Sequence, residues 1–211
     1  MPDRMTTENI WPLVHAERRA LAADLTGLAP ERWQTPSLCS GWTVHDVLAH
    51  MVATAKLTPA AFLVRLAASG FSMSRFTDTQ LAAQRLGGPD DTLAAFRAVE
   101  TSRSAPPGPT LSWLGEALVH AEDIRRPLGI RHEYPADAVR QVTEFYASSN
   151  VLIGGKRRVE GVTLQATDTD WSHGSGPLVS GPVIALLLAT TGRTAALDEL
   201  TGPGVAVLRS R

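Results

Sequence analysis

Apolar residues recur at three- and four-residue intervals through the first two thirds of this chain, and at two-residue intervals only near its end. The pattern therefore predicts helices first and strands and turns afterwards. Ile10, Val14, Leu21 and Leu25 give a first helix, capped by Thr6 or Thr7, reaching about Leu25 and stopped at Gly27. Pro12 is tolerable only in the first turn of a helix, which argues for a later start. After a turn-rich connection over 30–40, Thr43 and Asp46 form an S/T-x-x-D start signal, and Val44, Val47, Leu48 and Met51 make the buried stripe of a second helix. Pro59 breaks or kinks it, and a continuation runs through Phe62 to Leu66 before Gly70. A short helix is expected over 80–86, and Pro89 opens another through Leu93, Phe96 and Val99. Beyond a loop at 104–109, Thr110 caps a helix whose face is Leu111, Leu114, Leu118 and Ala121, ended by Pro127 and Gly129.

The character changes near residue 150. Positions 135–149 still read as helix, but 154–158 reads as a linker, and Val162, Leu164 and Ala166 alternate as in a half-buried strand. Glycine and proline then punctuate the chain. Ser180 is placed to cap a helix over 183–188, and 205–208 suits a final strand. The expected architecture is mainly α: a helical bundle over 1–150 followed by a small α+β domain over 151–211.

Composition narrows the function more than the fold. With 20 basic and 21 acidic residues in 211 and a formal charge of −1, nothing suggests a grip on nucleic acid. The longest apolar stretch, 183–189, is far short of the roughly 20 residues of a membrane span, and the N-terminus lacks the apolar centre of a signal peptide. A cytoplasmic protein is expected, with no membrane partner. The single cysteine, Cys39, excludes an internal disulfide and a thiolate-rich zinc site, and reads as a small packing residue in a turn.

The candidate chemistry lies on two of the predicted helices. Glu116 and His120 are four residues apart, so their side chains share one helix face about 5–6 Å apart at Cβ. His50 would join them from the second helix, giving two histidines and one glutamate, a composition that catalytic zinc sites use while keeping a fourth position open. Uniform mixing of 6 histidines and 21 acidic residues gives about 0.6 carboxylate-to-histidine pairs at this spacing by chance. The chain has two, Asp46/His50 and Glu116/His120. A solvated ion pair on the helix surface is the competing reading of Glu116/His120, and a satisfied semi-buried histidine that of His50. Asp46 either orients His50 or closes the capping box with Thr43. Asp123, three residues past His120, either orients it or pairs with Arg125 or Arg126. His45 projects about 140° away from His50 and is not expected to be a ligand. His15, His132 and His173 lack spaced partners.

The strings Trp33-Gln34-Thr35-Pro36-Ser37-Leu38-Cys39-Ser40-Gly41-Trp42-Thr43-Val44-His45-Asp46-Val47-Leu48-Ala49-His50-Met51 and Glu116-Ala117-Leu118-Val119-His120-Ala121-Glu122-Asp123-Ile124 resemble the actinobacterial mycothiol-dependent maleylpyruvate isomerase family of the DinB-like superfamily. Asp170-Trp171-Ser172, Gly176-Pro177, Gly181-Pro182 and Leu187-Leu188-Ala189-Thr190-Thr191-Gly192-Arg193 are similar to that family's C-terminal domain, itself sterol-carrier-like. The resemblance implies a DinB-like four-helix bundle in which His50, Glu116 and His120 hold a divalent metal. Zinc comes first, although nickel, manganese or iron suit the same ligands. It implies mycothiol as the thiol cofactor, and a small electrophile that is isomerised or receives the thiol by S-transfer. Arg193 resembles an arginine that faces the metal cleft and suits a carboxylate of substrate or thiol; its other reading is a surface arginine at a helix C-terminus. A metal-dependent hydrolase using metal-bound water, and a non-catalytic module binding a metal or an apolar ligand, stay open beside it.

Overall fold

The computed structural model describes residues 7–85 and 87–211. Contacts divide the chain into two compact units, Met1–Arg131 and His132–Arg211.

In the first unit α1 (Thr7–Asp24), α2 (Val44–Lys56), α5 (Pro89–Ala98) and α6 (Thr110–Arg125) close a ring: α1 packs on α5 and α6, and α2 packs on the same two helices. The apolar stripe of α2 explains the arrangement. Val44, Val47 and Leu48 are fully buried and Met51 nearly so, and they meet Leu21 of α1, Leu25 in the turn after it, Leu93 and Phe96 of α5 and Ile124 of α6 in one core. Burying side chains of this size stabilises a fold by about 1.5–3 kcal/mol each. Trp33, from a 3-10 helix at Pro30–Gln34, closes that core on one side. Two further helices, α3 (Pro59–Ala68) and α4 (Met73–Gln84), link α2 to α5. The break expected at Pro59 is there: α2 ends at Lys56, Pro59 is the first residue of α3, and the chain turns by 118° between the two helices.

Pro12 lies inside α1, beyond the first turn to which the sequence reading confines it. Its ring costs one backbone hydrogen bond, to Glu8, and it sits on the exposed side of the helix. Thr6, one of the two cap candidates, falls outside the described residues, as does Leu86. The short helix expected over 80–86 starts earlier, at Met73, because the Ser72 hydroxyl accepts from the Arg75 amide at 3.4 Å and caps it. Thr110 is the first residue of α6 and Pro109 occupies the cap position.

In the second unit α7 (Ala136–Ala147) packs on α9 (Val183–Thr190). A sheet in the order β2-β1-β3 is formed by β1 (Thr163–Ala166), β2 (Ser172–Gly174) and β3 (Leu178–Gly181), with β2 antiparallel and β3 parallel to β1. The expected strand at 162–166 is thus β1. Three local expectations are corrected. The 154–158 linker contains a single helical turn, α8 (Gly155–Arg158). Ser180 lies in β3, so α9 starts from Pro182, and the Asp168 carboxylate accepts from its first amide, Val183 N, at 2.9 Å. The strand expected at 205–208 is helix α10 (Gly204–Arg209), a short apolar run whose periodicity could not separate the two. Among the described residues no single helix is long and apolar enough to cross a membrane.

Candidate metal centre

The turn before α2 and the helix itself deliver His50. The chain folds back on itself there: Val44 N donates to Thr35 O at 2.9 Å, Ser37 N to Trp42 O at 2.8 Å, and Gly41 takes the left-handed conformation at φ 79° that closes the turn. Thr43 then caps the helix, accepting from the Asp46 amide at 3.2 Å, while the Asp46 carboxylate accepts from the Thr43 amide at 2.8 Å. With its start fixed and Val47, Leu48 and Met51 held in the core, the helix turns His50 toward α6, on which α2 packs.

Glu116 and His120 meet it from α6. One ligand atom from each of His50, Glu116 and His120 can be chosen so that all three lie within 4.8 Å of one another. The His50 and His120 rings approach edge to face, their centroids 4.9 Å apart, and Trp42 covers His50 at 5.2 Å. All three residues are half-buried.

The surroundings distinguish the three groups electrically. Glu116 Oε1 is buried without a hydrogen-bond partner. Burial pushes its carboxyl above the ordinary range, against the pull of His120, Arg18 and a hydrogen bond from Thr54. Burial and the neighbouring His120 hold His50 low, at about 3, so it stays neutral with a lone pair to offer. For His120 burial opposes the proton, but the hydrogen bonds to Asp123 and Cys39 and the charges of Asp123 and Glu116 outweigh it, raising the ring to about 10. His120 Nδ1 donates to Asp123 Oδ2 at 2.9 Å, so Nε2 is the nitrogen that a cation would take, displacing the second proton that the raised pKa keeps on the ring.

Of the other residues singled out in the sequence, Asp123 lies beside His120 as the orienting reading requires. Asp46 does not do the same for His50: one oxygen serves the Thr43 cap and the other pairs with Arg85 at 3.0 Å. His45 is buried against Trp33, with Nε2 2.8 Å from Thr92 Oγ1. His15 packs on Trp11, His132 on Tyr134, and His173 lies 3.3 Å from Glu144 Oε2. Arg193 belongs to the second unit, where it precedes a 3-10 helix at Thr194–Glu199 and donates from Nη1 to Thr191 O at 3.0 Å. Sequence reasoning missed Thr54, although it lies one turn past His50 on the same helix face. It missed the buried Arg18 because its anchors, Val99 O at 3.2 Å and Ser102 O at 2.8 Å, are distant in sequence. Cys39, read as a packing residue, donates its thiol to Asp123 Oδ2 at 3.0 Å.

A family model described as the mycothiol maleylpyruvate isomerase N-terminal domain matches residues 14–125. Two solved structures superpose on the chain with a TM-score of 0.65 at 16% identity, covering 94% of this chain and 93% of theirs. One is described as the mycothiol-dependent maleylpyruvate isomerase and the other as a histidine-to-alanine mutant of it. No curated protein matches the sequence.

Proposed function

The chain belongs to the family of the mycothiol maleylpyruvate isomerase N-terminal domain, and on that premise we propose that it is a divalent-metal-dependent enzyme that uses a low-molecular-weight thiol of the mycothiol type. The thiol isomerises a small electrophile or is transferred to it. The carrying observation is the convergence of His50, Glu116 and His120 donors within 4.8 Å, around a buried Glu116 oxygen that no protein group satisfies. Leaving a buried carboxylate oxygen unpaired costs on the order of 1–3 kcal/mol, and a cation would remove that cost. Two imidazoles and one carboxylate suit zinc, with nickel, manganese or iron compatible.

A divalent cation there would supply Lewis acidity, lowering the pKa of a thiol so that the nucleophilic thiolate exists at neutral pH. The protein's own groups do the rest. Asp123 holds the His120 ring by its Nδ1–H, and Thr54 donates to the Glu116 carboxylate. Trp42 shields one side of His50 from water. In the isomerisation, thiolate sulfur adds to one carbon of an activated double bond, the resulting single bond rotates, and elimination of the same thiolate restores the double bond. In S-transfer the new carbon–sulfur bond is retained and the carbanion formed beside it takes a proton from water. The family resemblance alone supports a role for Arg193 toward an anionic group of substrate or thiol.

Metal analysis after zinc loading tests the reading. About one equivalent is expected in the unaltered protein and a clear loss in His50→Ala and His120→Ala. Turnover of an activated alkene should need added thiol; turnover that persists in thiol-free buffer would instead favour a hydrolase. A folded preparation that takes up no metal on exposure to zinc removes the proposal.

A further inference from the structure

A single oxygen, Asp123 Oδ2, accepts from two side chains: His120 Nδ1 at 2.9 Å and the Cys39 thiol at 3.0 Å, with Sγ itself 3.9 Å from His120 Nδ1. Asp123 is completely buried and His120 only 15% exposed, so no bulk water competes for that oxygen. The loop bearing Cys39 is fastened on both sides of it. Leu38 N donates to the Asp123 carbonyl at 3.2 Å, Cys39 N donates to Ser37 Oγ at 3.1 Å, and Trp42 N donates to Cys39 O at 3.0 Å. The thiol therefore meets the carboxylate from a fixed direction, and the carboxylate meets the ring from another.

We propose that Cys39 is a positioning residue that fixes the His120 ring through Asp123. The proposal rests on the reading of His120 as a metal ligand. Cys39 Sγ lies 3.9 Å from Nδ1 of the imidazole, and because that nitrogen is engaged by Asp123, a cation held with His50 and Glu116 would take Nε2. Cys39 is therefore a poor candidate for the same cation and well placed to restrain the carboxylate that orients the ring. Each donor that converges on a carboxylate narrows its swing about the Cβ–Cγ bond, and a carboxylate held in one rotamer gives His120 Nε2 one aim. Partners of this kind behind a metal-bound histidine change metal affinity by about 10- to 100-fold.

Cys39→Ala removes the donor, and Cys39→Ser keeps a donor of similar size. Zinc affinity, measured by competition with a chromophoric chelator, should fall about tenfold in Cys39→Ala and stay within about threefold in Cys39→Ser. In metal-free protein the His120 Nδ1–H resonance, identified by its loss in His120→Ala, should shift or broaden in Cys39→Ala and persist in Cys39→Ser. If Cys39→Ala leaves both readouts unchanged, or if the two variants weaken zinc equally, Cys39 acts by packing alone and the proposal falls. A thiolate-to-metal charge-transfer band in cobalt-substituted protein would make Cys39 a ligand and would also overturn it. If the unaltered protein binds no zinc while Cys39→Ala still shifts the resonance, the metal reading fails and the Cys39–Asp123–His120 linkage stands.

Discussion

Asp46 Oδ2 lies 2.8 Å from the backbone nitrogen of Thr43, and the Asp46 amide is 3.2 Å from Thr43 Oγ1. The carboxylate one turn before His50 therefore serves the end of the helix and not the histidine. Caps of this kind contribute about 0.5–2 kcal/mol, and a negative charge in the first turn adds some tenths through the helix dipole.

Asp46→Ala should accordingly lower stability by about 1 kcal/mol, with a further small loss from the Arg85 pair at 3.0 Å. Zinc stoichiometry should be unchanged. Thermal unfolding and metal analysis of the same preparation decide it: an intact melting temperature with lost metal would restore Asp46 to the site.

Asp123 behaves in the opposite way. Its carboxylate is fully buried and accepts from His120 at 2.9 Å. In Asp123→Asn the oxygen that remains is neutral and a weaker acceptor. Zinc affinity should fall by about 10- to 100-fold, measured by chelator competition. A change under twofold would show that the ring is held by packing.

Glu116→Gln separates function from stability. The Glu116 oxygen without a partner is a cost to the metal-free fold, and the neutral amide is cheaper to bury than the carboxylate. Metal-free Glu116→Gln should melt at the same temperature as the unaltered protein or higher, by an amount on the order of 1 kcal/mol. Its stabilisation by added zinc should be largely lost. A strongly destabilised metal-free variant would mean that Glu116 supports the fold in its own right.

These outcomes bear on how much the sequence could disclose. The stripe Val44, Val47, Leu48, Met51 and the Thr43/Asp46 cap are local patterns, and α2 follows them closely. The i,i+4 spacing of Glu116 and His120 was equally local, whereas the approach of His50 depends on how two helices pack, so spacing could suggest the triplet and the family resemblance had to support it. What stayed hidden is contact across long separations. Cys39 reaches Asp123 over 84 residues, and Arg18 reaches the carbonyl of Ser102 over the same span. The end of the chain misled for another reason. Val205 and Val207 favour strands by propensity, but the turn at Gly202, with φ 104°, and Pro203 begins a helix that buries Leu208.

Outside the metal centre, a buried carboxyl makes the stability of the fold depend on pH. Glu17 of α1 is 5% exposed and lies with Oε1 2.5 Å from Arg125 Nη1, while Asp24 takes Arg125 Nε at 2.7 Å. Burial raises the Glu17 carboxyl from 4.5 to about 7, even against the attraction of Arg125. A carboxyl whose folded pKa lies above its unfolded value binds its proton more tightly in the folded state. Its contribution to stability is then complete below pH 4.5 and is lost as pH rises through about 7. Glu17→Gln, neutral at every pH, lacks that loss. Its melting temperature relative to the unaltered protein should rise between pH 4.5 and 7, with about 3 kcal/mol as an upper bound. If the difference instead moves against the variant over this window, the ionised Glu17–Arg125 pair is the stabilising form, and the attraction of Arg125 exceeds the cost of burying the charge.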